Sequence, residues 1–272
     1  MNIKRILLIV FAVLIIIGSL GVMIRFSVPA NKKPQNNNET PIITEPADVT
    51  EFYDFQTPMN WDSVNGQNYY ADKATVYLKS GDFVNNEGNF QFTINPSLLE
   101  GASAAYLDPY MVIGNTYILE DYSKIVYEVD VKVSEDYPFQ IVIRPDYRRG
   151  VEESSSVASL SSGIVCYSNG EFYVKDTTDV IHTIDENEFH FTYVVNTDRT
   201  CQVYVNGQLI YETTEAYSDP CYQIKGLRLS AQYSKDKTID GTAIVAFDNI
   251  HVKGYYAEEH TTIAANQLHN NL

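Results

Sequence analysis

Apolar and polar residues alternate along much of the chain between Phe52 and Tyr255, and this period of two predicts β-strands. The clearest run is Ile125 to Val133, in which Ile, Tyr and Val occupy every second position. Glu128, Asp130 and Lys132 lie between them, so this strand is predicted to have one buried and one wet face. The pattern therefore predicts an all-β domain.

The stretch that organises this domain is Phe191 to Thr213, which predicts three short strands joined by two tight turns. Asn206-Gly207 separates the last two strands, and Asn-Gly supplies the two positive-φ residues that a two-residue hairpin turn requires. Asn196 to Arg199 is a polar turn of the same kind. Further strands are predicted at Ala74–Leu78, Asn89–Ile94, Phe139–Ile143, Gly163–Tyr167, Glu171–Lys175, Val180–Ile184, Leu227–Ala231 and Ala243–Val252.

Two stretches do not follow the alternation. Pro96 to Gly114 shows no clear period and is predicted to be irregular. Arg144 to Gly150, together with the Ser-rich residues that follow it, is predicted to form a long mobile loop.

A membrane anchor is predicted at the N-terminus, where Ile6 to Ile24 forms a run of 19 residues without a charge. As a helix this run would be about 28 Å long, close to the hydrocarbon thickness of a bilayer. It is long for a cleaved export signal, although residues 28–30 (Val-Pro-Ala) resemble a cleavage site and leave removal open. Lys4 and Arg5 favour a cytoplasmic N-terminus and an extracytoplasmic domain, at a cell membrane crossed once.

Ser27 to Thr50 is rich in Pro and Asn and is predicted to be a semi-extended spacer. The predicted layout is a cytoplasmic head and transmembrane anchor at residues 1–26, a linker at 27–50, a β-domain at 51–256 and a polar tail at 257–272. A spacer between a membrane helix and a β-domain suits a cell envelope.

The charge of the chain narrows the range of partners. The net charge is −16, and because the first 33 residues carry five basic and no acidic side chains, the remainder carries −21. A domain this acidic repels nucleic acid and anionic lipid, so no nucleic-acid partner is predicted. No cofactor is predicted either, although Ca²⁺ could be held where carboxylates converge.

The three cysteines, Cys166, Cys201 and Cys221, are too few for a disulfide framework, although one bridge could form in an oxidising space. Cys201 alternates with Val203 and Val205 and is predicted to be a buried, inert thiol. There is no C-x-x-C pair, so the sequence gives no support for a zinc site.

The segments at the start, middle and end of the domain together resemble a known fold family. Phe191 to Tyr211 resembles the central hairpin of laminin-G-like and related concanavalin A-like jelly rolls, and Val245 to Tyr255 looks like their last strand. Tyr53 to Trp61 is similar to the opening segment of many secreted members. The resemblance implies a jelly-roll sandwich of two antiparallel sheets, often with the first and last strands adjacent. That fold serves lectins, glycosidases, lyases and adhesion modules, so it does not select a function.

The glycosidase branch of this fold can be tested on the sequence. Retaining glycosidases on this scaffold place two Glu around an Asp on one strand face, so that the two carboxylates lie about 5 Å apart. The nearest match here is Glu128, Asp130 and Lys132, in which Lys occupies the position of the second carboxylate. The catalytic pair is therefore incomplete, and no catalytic residue is predicted.

Two groups of residues are candidates for ligand binding. Arg144, Tyr147 and Arg148 belong to a basic cluster that could clamp a carboxylate or sulfate, or could simply pair with nearby acids in a solvated loop. A second group is predicted to share the outward face of the central strands, where aromatic, amide and carboxylate side chains could hold a sugar or could merely face solvent: Glu128, Gln140, Tyr173 and Tyr204.

Asp248 and Asn249 are expected to hydrogen-bond a loop backbone rather than a metal. The sequence thus favours a membrane-anchored, extracytoplasmic domain that binds a glycan or cell-envelope polymer without catalysis. A protein-interaction or envelope-assembly module, and a glycoside hydrolase or polysaccharide lyase, remain as alternatives.

Overall fold

The computed structural model describes residues 46–64, 68–78, 82–85, 88–94, 106–135, 137, 139–150, 164–216, 221–234 and 241–257. They all belong to one compact unit, Asn38–Leu272. The predicted membrane segment, most of the linker and nearly all of the tail lie outside the described residues. Within the residues that are described, no helix is both long enough and apolar enough to cross a membrane.

The regular structure of the described residues consists of strands, apart from one short 3₁₀ turn at Leu119–Asp121. In chain order the strands are β1 (Val49–Tyr53), β2 (Asp62–Val64), β3 (Asn68–Ala71), β4 (Ala74–Tyr77), β5 (Asp82–Asn85), β6 (Phe90–Ile94), β7 (Tyr106–Leu107), β8 (Tyr110–Ile113), β9 (Tyr117–Ile118), β10 (Tyr122–Val133), β11 (Gln140–Arg148), β12 (Val165–Ser168), β13 (Glu171–Val174), β14 (Val180–Thr183), β15 (Glu188–Asn196), β16 (Cys201–Val205), β17 (Gln208–Thr213), β18 (Gln223–Ser234) and β19 (Ala243–Tyr256).

These strands form two antiparallel sheets. The eight-stranded sheet has the order β17-β16-β15-β10-β19-β6-β5, with β1 also paired to β19. The eleven-stranded sheet has the order β14-β13-β12-β11-β18-β8-β4-β3-β2, with β7 and β9 also paired to β18. The prediction of an all-β sandwich is confirmed, and its first and last strands are adjacent, which is consistent with the concanavalin A-like fold.

The core lies between the two sheets and is formed by the inward positions of their strands. β10 also buries Val126 on its outward face, and to this core it contributes the side chains predicted by the alternation: Ile125, Tyr127, Val129, Val131 and Val133. From the opposite sheet they meet a row that includes Ile141, Ile143 and Leu229. Each fully buried Val, Ile or Leu contributes roughly 1.5–3 kcal/mol relative to its exposed state, so these rows hold the layers together.

The hairpin turn at Asn206-Gly207 is confirmed, because the two residues have φ of 49° and 78°. Asn206 does more than turn the chain. Its backbone N–H donates to the carbonyl oxygen of His190, and its side-chain oxygen accepts from the His190 N–H, both at 2.8 Å. The turn therefore fixes the position of His190 on the neighbouring strand.

Each sheet contains a β-bulge next to its centre. In the eight-stranded sheet, Asn249 and Ile250 of β19 lie opposite Val129 alone, and Asn249 has a φ of 47°. In the eleven-stranded sheet, Lys225 and Gly226 of β18 lie opposite Asp146 of β11. These two bulges aim the side chains described below.

Two sequence predictions are wrong in detail. The predicted loop at Arg144 is the second half of β11, which continues to Arg148. Pro145 is accommodated because β12 pairs only with Ile141 and Val142, so beyond them β11 has an edge that β12 does not occupy. In the stretch predicted to be irregular, Tyr110–Ile113 forms β8 between β18 and β4.

All three cysteines are free thiols. Cys201 is fully buried, as predicted, and burial raises its pKa to about 11. Burial likewise raises the pKa of Cys166 to about 12 and that of Cys221 to about 11. A raised pKa keeps these groups as thiols near neutral pH and makes them poor nucleophiles.

Candidate functional site

The outward face of the eight-stranded sheet holds a polar cavity of about 450 Å³. Its walls come from β10, β15, β19 and two turns: Asn89, Asp130, Val131, Lys132, Glu188, Phe189, His190, Asn206, Ala246, Asp248 and Asn249. We refer to this feature as the polar cavity.

Asp130 is the centre of the polar cavity, and both of its carboxylate oxygens accept hydrogen bonds. His190 Nδ1 donates to Oδ1 at 2.7 Å, and Asn249 Nδ2 donates to Oδ2 at 2.9 Å. His190 is the register partner of Asp130 on β15, and Asn249 reaches it from the bulge of β19. The site thus depends on pairing three strands that are distant in the chain.

A second carboxylate lies beside the first, because Asp248 is the register partner of Asp130 on β19. Its Oδ1 accepts from the Asn249 backbone N–H at 2.7 Å. Burial raises the pKa of Asp248, and the charge of Asp130 adds to that rise. The two carboxylates therefore differ, because Asp130 is held by two side-chain donors and Asp248 has a raised pKa.

Ion pairs surround this carboxylate pair. Lys132 pairs with Glu188 at the exposed rim, with both side chains more than 60% exposed. On the other side, Lys253 Nζ donates to Glu128 Oε2 at 2.6 Å. Both outer residues of the incomplete glycosidase motif are therefore engaged in ion pairs.

An exposed aromatic ring lies on the same sheet next to these groups. The ring of Phe52 stacks on the ring of His251, with centroids 4.3 Å apart, although 51% of Phe52 remains exposed. His251 is the register partner of Glu128, so the stack lies one row from Asp130. Burial lowers the pKa of His251, which favours its neutral form.

The second group of predicted ligand residues does not share one face. Glu128 and Tyr204 lie on the outward side of the eight-stranded sheet, where Tyr204 is buried against Val126 and Val194. Gln140 and Tyr173 lie on the eleven-stranded sheet and bond each other at 2.7 Å. The prediction that these four residues share a face was wrong, because strand alternation does not say to which sheet a strand belongs.

The basic cluster is also divided. Tyr147 is fully buried in the core between the sheets, so it cannot contact a ligand in this conformation. Arg144 and Arg148 point to the outward side of the eleven-stranded sheet, and Arg148 Nη2 donates to Asp146 Oδ2 at 2.5 Å. Arg144 is considered separately below.

Sequence reasoning missed most of the polar cavity. Asp248 and Asn249 are expected to hydrogen-bond backbone, and Asp248 does accept from the Asn249 N–H, but the Asn249 side chain holds Asp130 instead. The sequence predicts no function for His190 or Asn206, since the spacing of these two residues along the chain forms no motif. The polar residue at the positive-φ turn was the one signal that could have marked the cavity wall.

No metal site is found within the described residues, because no group of three His, Cys, Asp or Glu side chains is arranged there to hold an ion. Asp130 and Asp248 supply two carboxylates, and the side chains bonded to Asp130 are the amide of Asn249 and the imidazole of His190.

No protein-family model and no curated protein sequence matches the chain. Among solved structures, the Emp47p carbohydrate recognition domain is 9% identical, covers 68% of this chain and 89% of its own, and has a TM-score of 0.41. The family 7 alginate lyase A1-II′ in complex with substrate is 11% identical, with coverage of 67% and 85% and a TM-score of 0.45. The binding domain of botulinum neurotoxin serotype D/C is 9% identical with a TM-score of 0.41, and this chain spans about half of it. Similarities this low carry no argument about the ligand of this chain.

Proposed function

We propose that this chain binds carbohydrate in the polar cavity on the outward face of its eight-stranded sheet. The observation that supports the proposal is the arrangement of Asp130, held by His190 and Asn249, in an open cavity of about 450 Å³. Cavities of several hundred cubic ångströms, with a few fixed polar groups, are typical of small-molecule sites.

The chemistry of the walls suits sugar hydroxyls. A hydroxyl both donates and accepts, and the cavity offers carboxylate acceptors together with the amides of Asn89, Asn206 and Asn249, which do both. The exposed ring of Phe52 adds an apolar surface on which the face of a sugar could stack. A flat apolar protein partner would find few complementary groups there.

The location of this binding module is also a proposal, and it rests on the sequence. Ile6 to Ile24 would anchor the chain in a membrane, and the Pro- and Asn-rich linker would hold the β-domain away from the lipid surface. The domain would then meet glycans of the cell envelope or of the surroundings.

A glycan-array screen of the full-length chain in mild detergent, with Ca²⁺ added and removed, tests the proposal. We expect binding to at least one glycan class, and at least a tenfold loss in Asp130→Ala. Asp179→Ala is the matched control, because it removes an exposed carboxylate outside the cavity. The proposal would be refuted if the natural chain bound no glycan, or if Asp130→Ala bound the same glycans as well as the natural chain does.

One observation favours a second function, which is glycoside hydrolysis. Asp248 could donate a proton to the glycosidic oxygen while Asp130 accepts one from the attacking water, so that the two roles fall on adjacent strands. Incubating each glycan hit with the full-length chain and measuring new reducing ends tests this. Hydrolysis should disappear in Asp248→Asn while binding persists. If no glycan hit yields cleavage products, the hydrolase function is excluded and only binding remains.

A further inference from the structure

The outward face of the eleven-stranded sheet carries two arginines on adjacent strands. Arg144 of β11 and Arg228 of β18 are register partners, so their side chains leave the sheet side by side. Only 9% of Arg144 and 13% of the Arg228 side chain are exposed. Two neighbouring guanidinium groups that are nearly buried are unusual, because like charges repel and burial removes their hydration.

Arg228 is fixed in place by its surroundings. Its Nη2 donates to Asp108 Oδ2 at 2.8 Å, and its guanidinium lies 3.5 Å from the centroid of the Tyr110 ring. Tyr77 stacks on Tyr110 with centroids 4.5 Å apart, which extends the support by one more strand. This guanidinium is therefore held in one orientation.

Arg144 makes no ion pair of its own among the described residues, and the nearby carboxylate whose charge acts on it, Asp146, is bonded to Arg148. Its Nη1 donates to the carbonyl oxygen of Pro145 at 3.1 Å, and that bond accounts for one of its five N–H groups. The two nearest carboxylates each bond another arginine through Oδ2, Asp146 with Arg148 and Asp108 with Arg228, while the Oδ1 of each has no hydrogen-bond partner in the described part of the chain. The described cluster thus holds three guanidinium groups and two carboxylates.

The electrostatics agree with this geometry. Burial lowers the pKa of Arg144 and the charge of Arg228 lowers it further, and the opposing charge of Asp146 only partly offsets them. A guanidinium keeps its proton in proteins, so the group stays charged and its burial costs free energy that a Met side chain in its place would not. An anion against the pair would offset that cost.

A cavity of about 290 Å³ lies on the same outward face, lined by neighbours of the two arginines but not by the arginines themselves. Val112, the other register partner of Arg228, lines this cavity, and so does Asp146, which lies two residues from Arg144. Lys73, Arg148 and Lys225 add positive charge to its walls, against the negative charge of Asp72 and Asp146. Tyr77 adds an aromatic ring.

From this juxtaposition we infer that Arg144 and Arg228 form a second binding site, which takes a carboxylate or sulfate group. Two guanidinium forks side by side present parallel N–H donors, which match the two oxygens of a carboxylate or sulfate. The site lies on the opposite side of the sandwich from the polar cavity and does not depend on the carbohydrate proposal. Where the anion is carried by a uronic or sulfated sugar, one chain could engage two ligands at once.

Calorimetric titration of the full-length chain with glucuronate, glucose 6-sulfate and inorganic sulfate tests the inference, with glucose and chloride at matched ionic strength as controls. We expect saturable binding of the first three and none of the controls. If only inorganic sulfate binds, the site takes a free anion rather than one carried on a sugar. Arg144→Met should weaken binding at least tenfold and leave the thermal midpoint without anion unchanged or higher, because a buried charge has been removed.

Two further variants keep the test decisive. Arg228→Lys retains the charge but loses the fork, and should bind several-fold more weakly. Asp130→Ala, on the other sheet, should bind the anions as the natural chain does, so that failure of this inference and failure of the carbohydrate proposal are distinguishable. Undiminished anion binding in both arginine variants, or no saturable binding by the natural chain, would overturn the inference.

Discussion

The two bulges beside the candidate sites solve the same geometric problem with different residues. In both, one strand gains an extra residue beside a site, and the backbone turns through a positive φ. The eleven-stranded sheet uses Gly226, with a φ of 88°, and the eight-stranded sheet uses Asn249, with a φ of 47°.

The surroundings explain the difference. A Cβ on Gly226 would lie 2.3 Å from the carbonyl oxygen of Ile113, so a side chain has no room there. Asn249 has room, and its amide holds Asp130 at 2.9 Å. A non-glycine residue at positive φ carries a backbone cost of about 1–2 kcal/mol, although Asn tolerates it better than most. The comparison indicates that one bulge serves close packing and the other serves the cavity.

The largest effect is expected at the glycine bulge. Gly226→Ala combines a steric clash with backbone atoms and an unfavourable φ, so the free energy of unfolding should fall by roughly 3–5 kcal/mol. Urea unfolding measures it. The matched control is Gly241→Ala, where φ is 106° but a Cβ meets nothing within 4 Å. Only the backbone cost, about 1–2 kcal/mol, should appear there. Equal losses in the two variants would show that the close approach at Ile113 is unimportant.

The strands differ in how well the sequence predicts them. Alternation within a strand was sufficient for β10 and for the hairpins from β15 to β17, because that signal is local. The loop prediction for Arg144–Arg148 does not use this alternation. Applied there, a period of two places Arg144 and Arg148 on one side and Tyr147 on the other, which is the observed arrangement.

The candidate sites were harder to predict than the strands. The polar cavity joins Asp130, His190 and Asp248 from three strands, and the arginine pair joins β11 to β18. Both depend on which strands are neighbours and on a register set by bulges. Neither site is encoded in the spacing of residues along the chain, because each forms only when particular strands pair.

A change at the asparagine bulge should separate stability from binding. Asn249→Gly relieves the backbone cost but removes the donor to Asp130, so the free energy of unfolding should change by less than about 0.5 kcal/mol. Glycan binding, in contrast, should weaken by roughly tenfold, the effect of losing one hydrogen bond to a charged group. Asn249→Ala is the companion variant, which loses the same donor and also about 1 kcal/mol of stability. If Asn249→Gly binds glycans normally, Asn249 serves only the backbone.

A smaller effect, on the thermal midpoint, is expected when the neighbouring carboxylate of Asp248 is replaced. Because the folded-state pKa of Asp248 is raised above its ordinary value of 3.8, its ionised form is penalised in the fold. That penalty is absent at low pH, where the group is protonated in both states, and develops as the pH rises from 3.8 through the raised pKa. Asp248→Asn should therefore raise the thermal midpoint by roughly 1–3 °C at pH 7 and by less at pH 4. Midpoints measured across this range would contradict the assignment if the gain were larger at pH 4.

The smallest effect on stability, with a definite effect on binding, is expected at the exposed ring beside the polar cavity. Phe52→Ser removes a side chain that is already half exposed, so the free energy of unfolding should fall by no more than about 1 kcal/mol. If a sugar stacks on this ring, the variant should bind glycans several-fold more weakly, whereas Phe52→Tyr should bind as the natural chain does. Exposed Tyr70, on the eleven-stranded sheet, offers the matched control Tyr70→Ser. Glycan titrations of the three variants decide the matter, since equal affinity in Phe52→Ser and Tyr70→Ser would confine the ligand to the polar walls and exclude the ring.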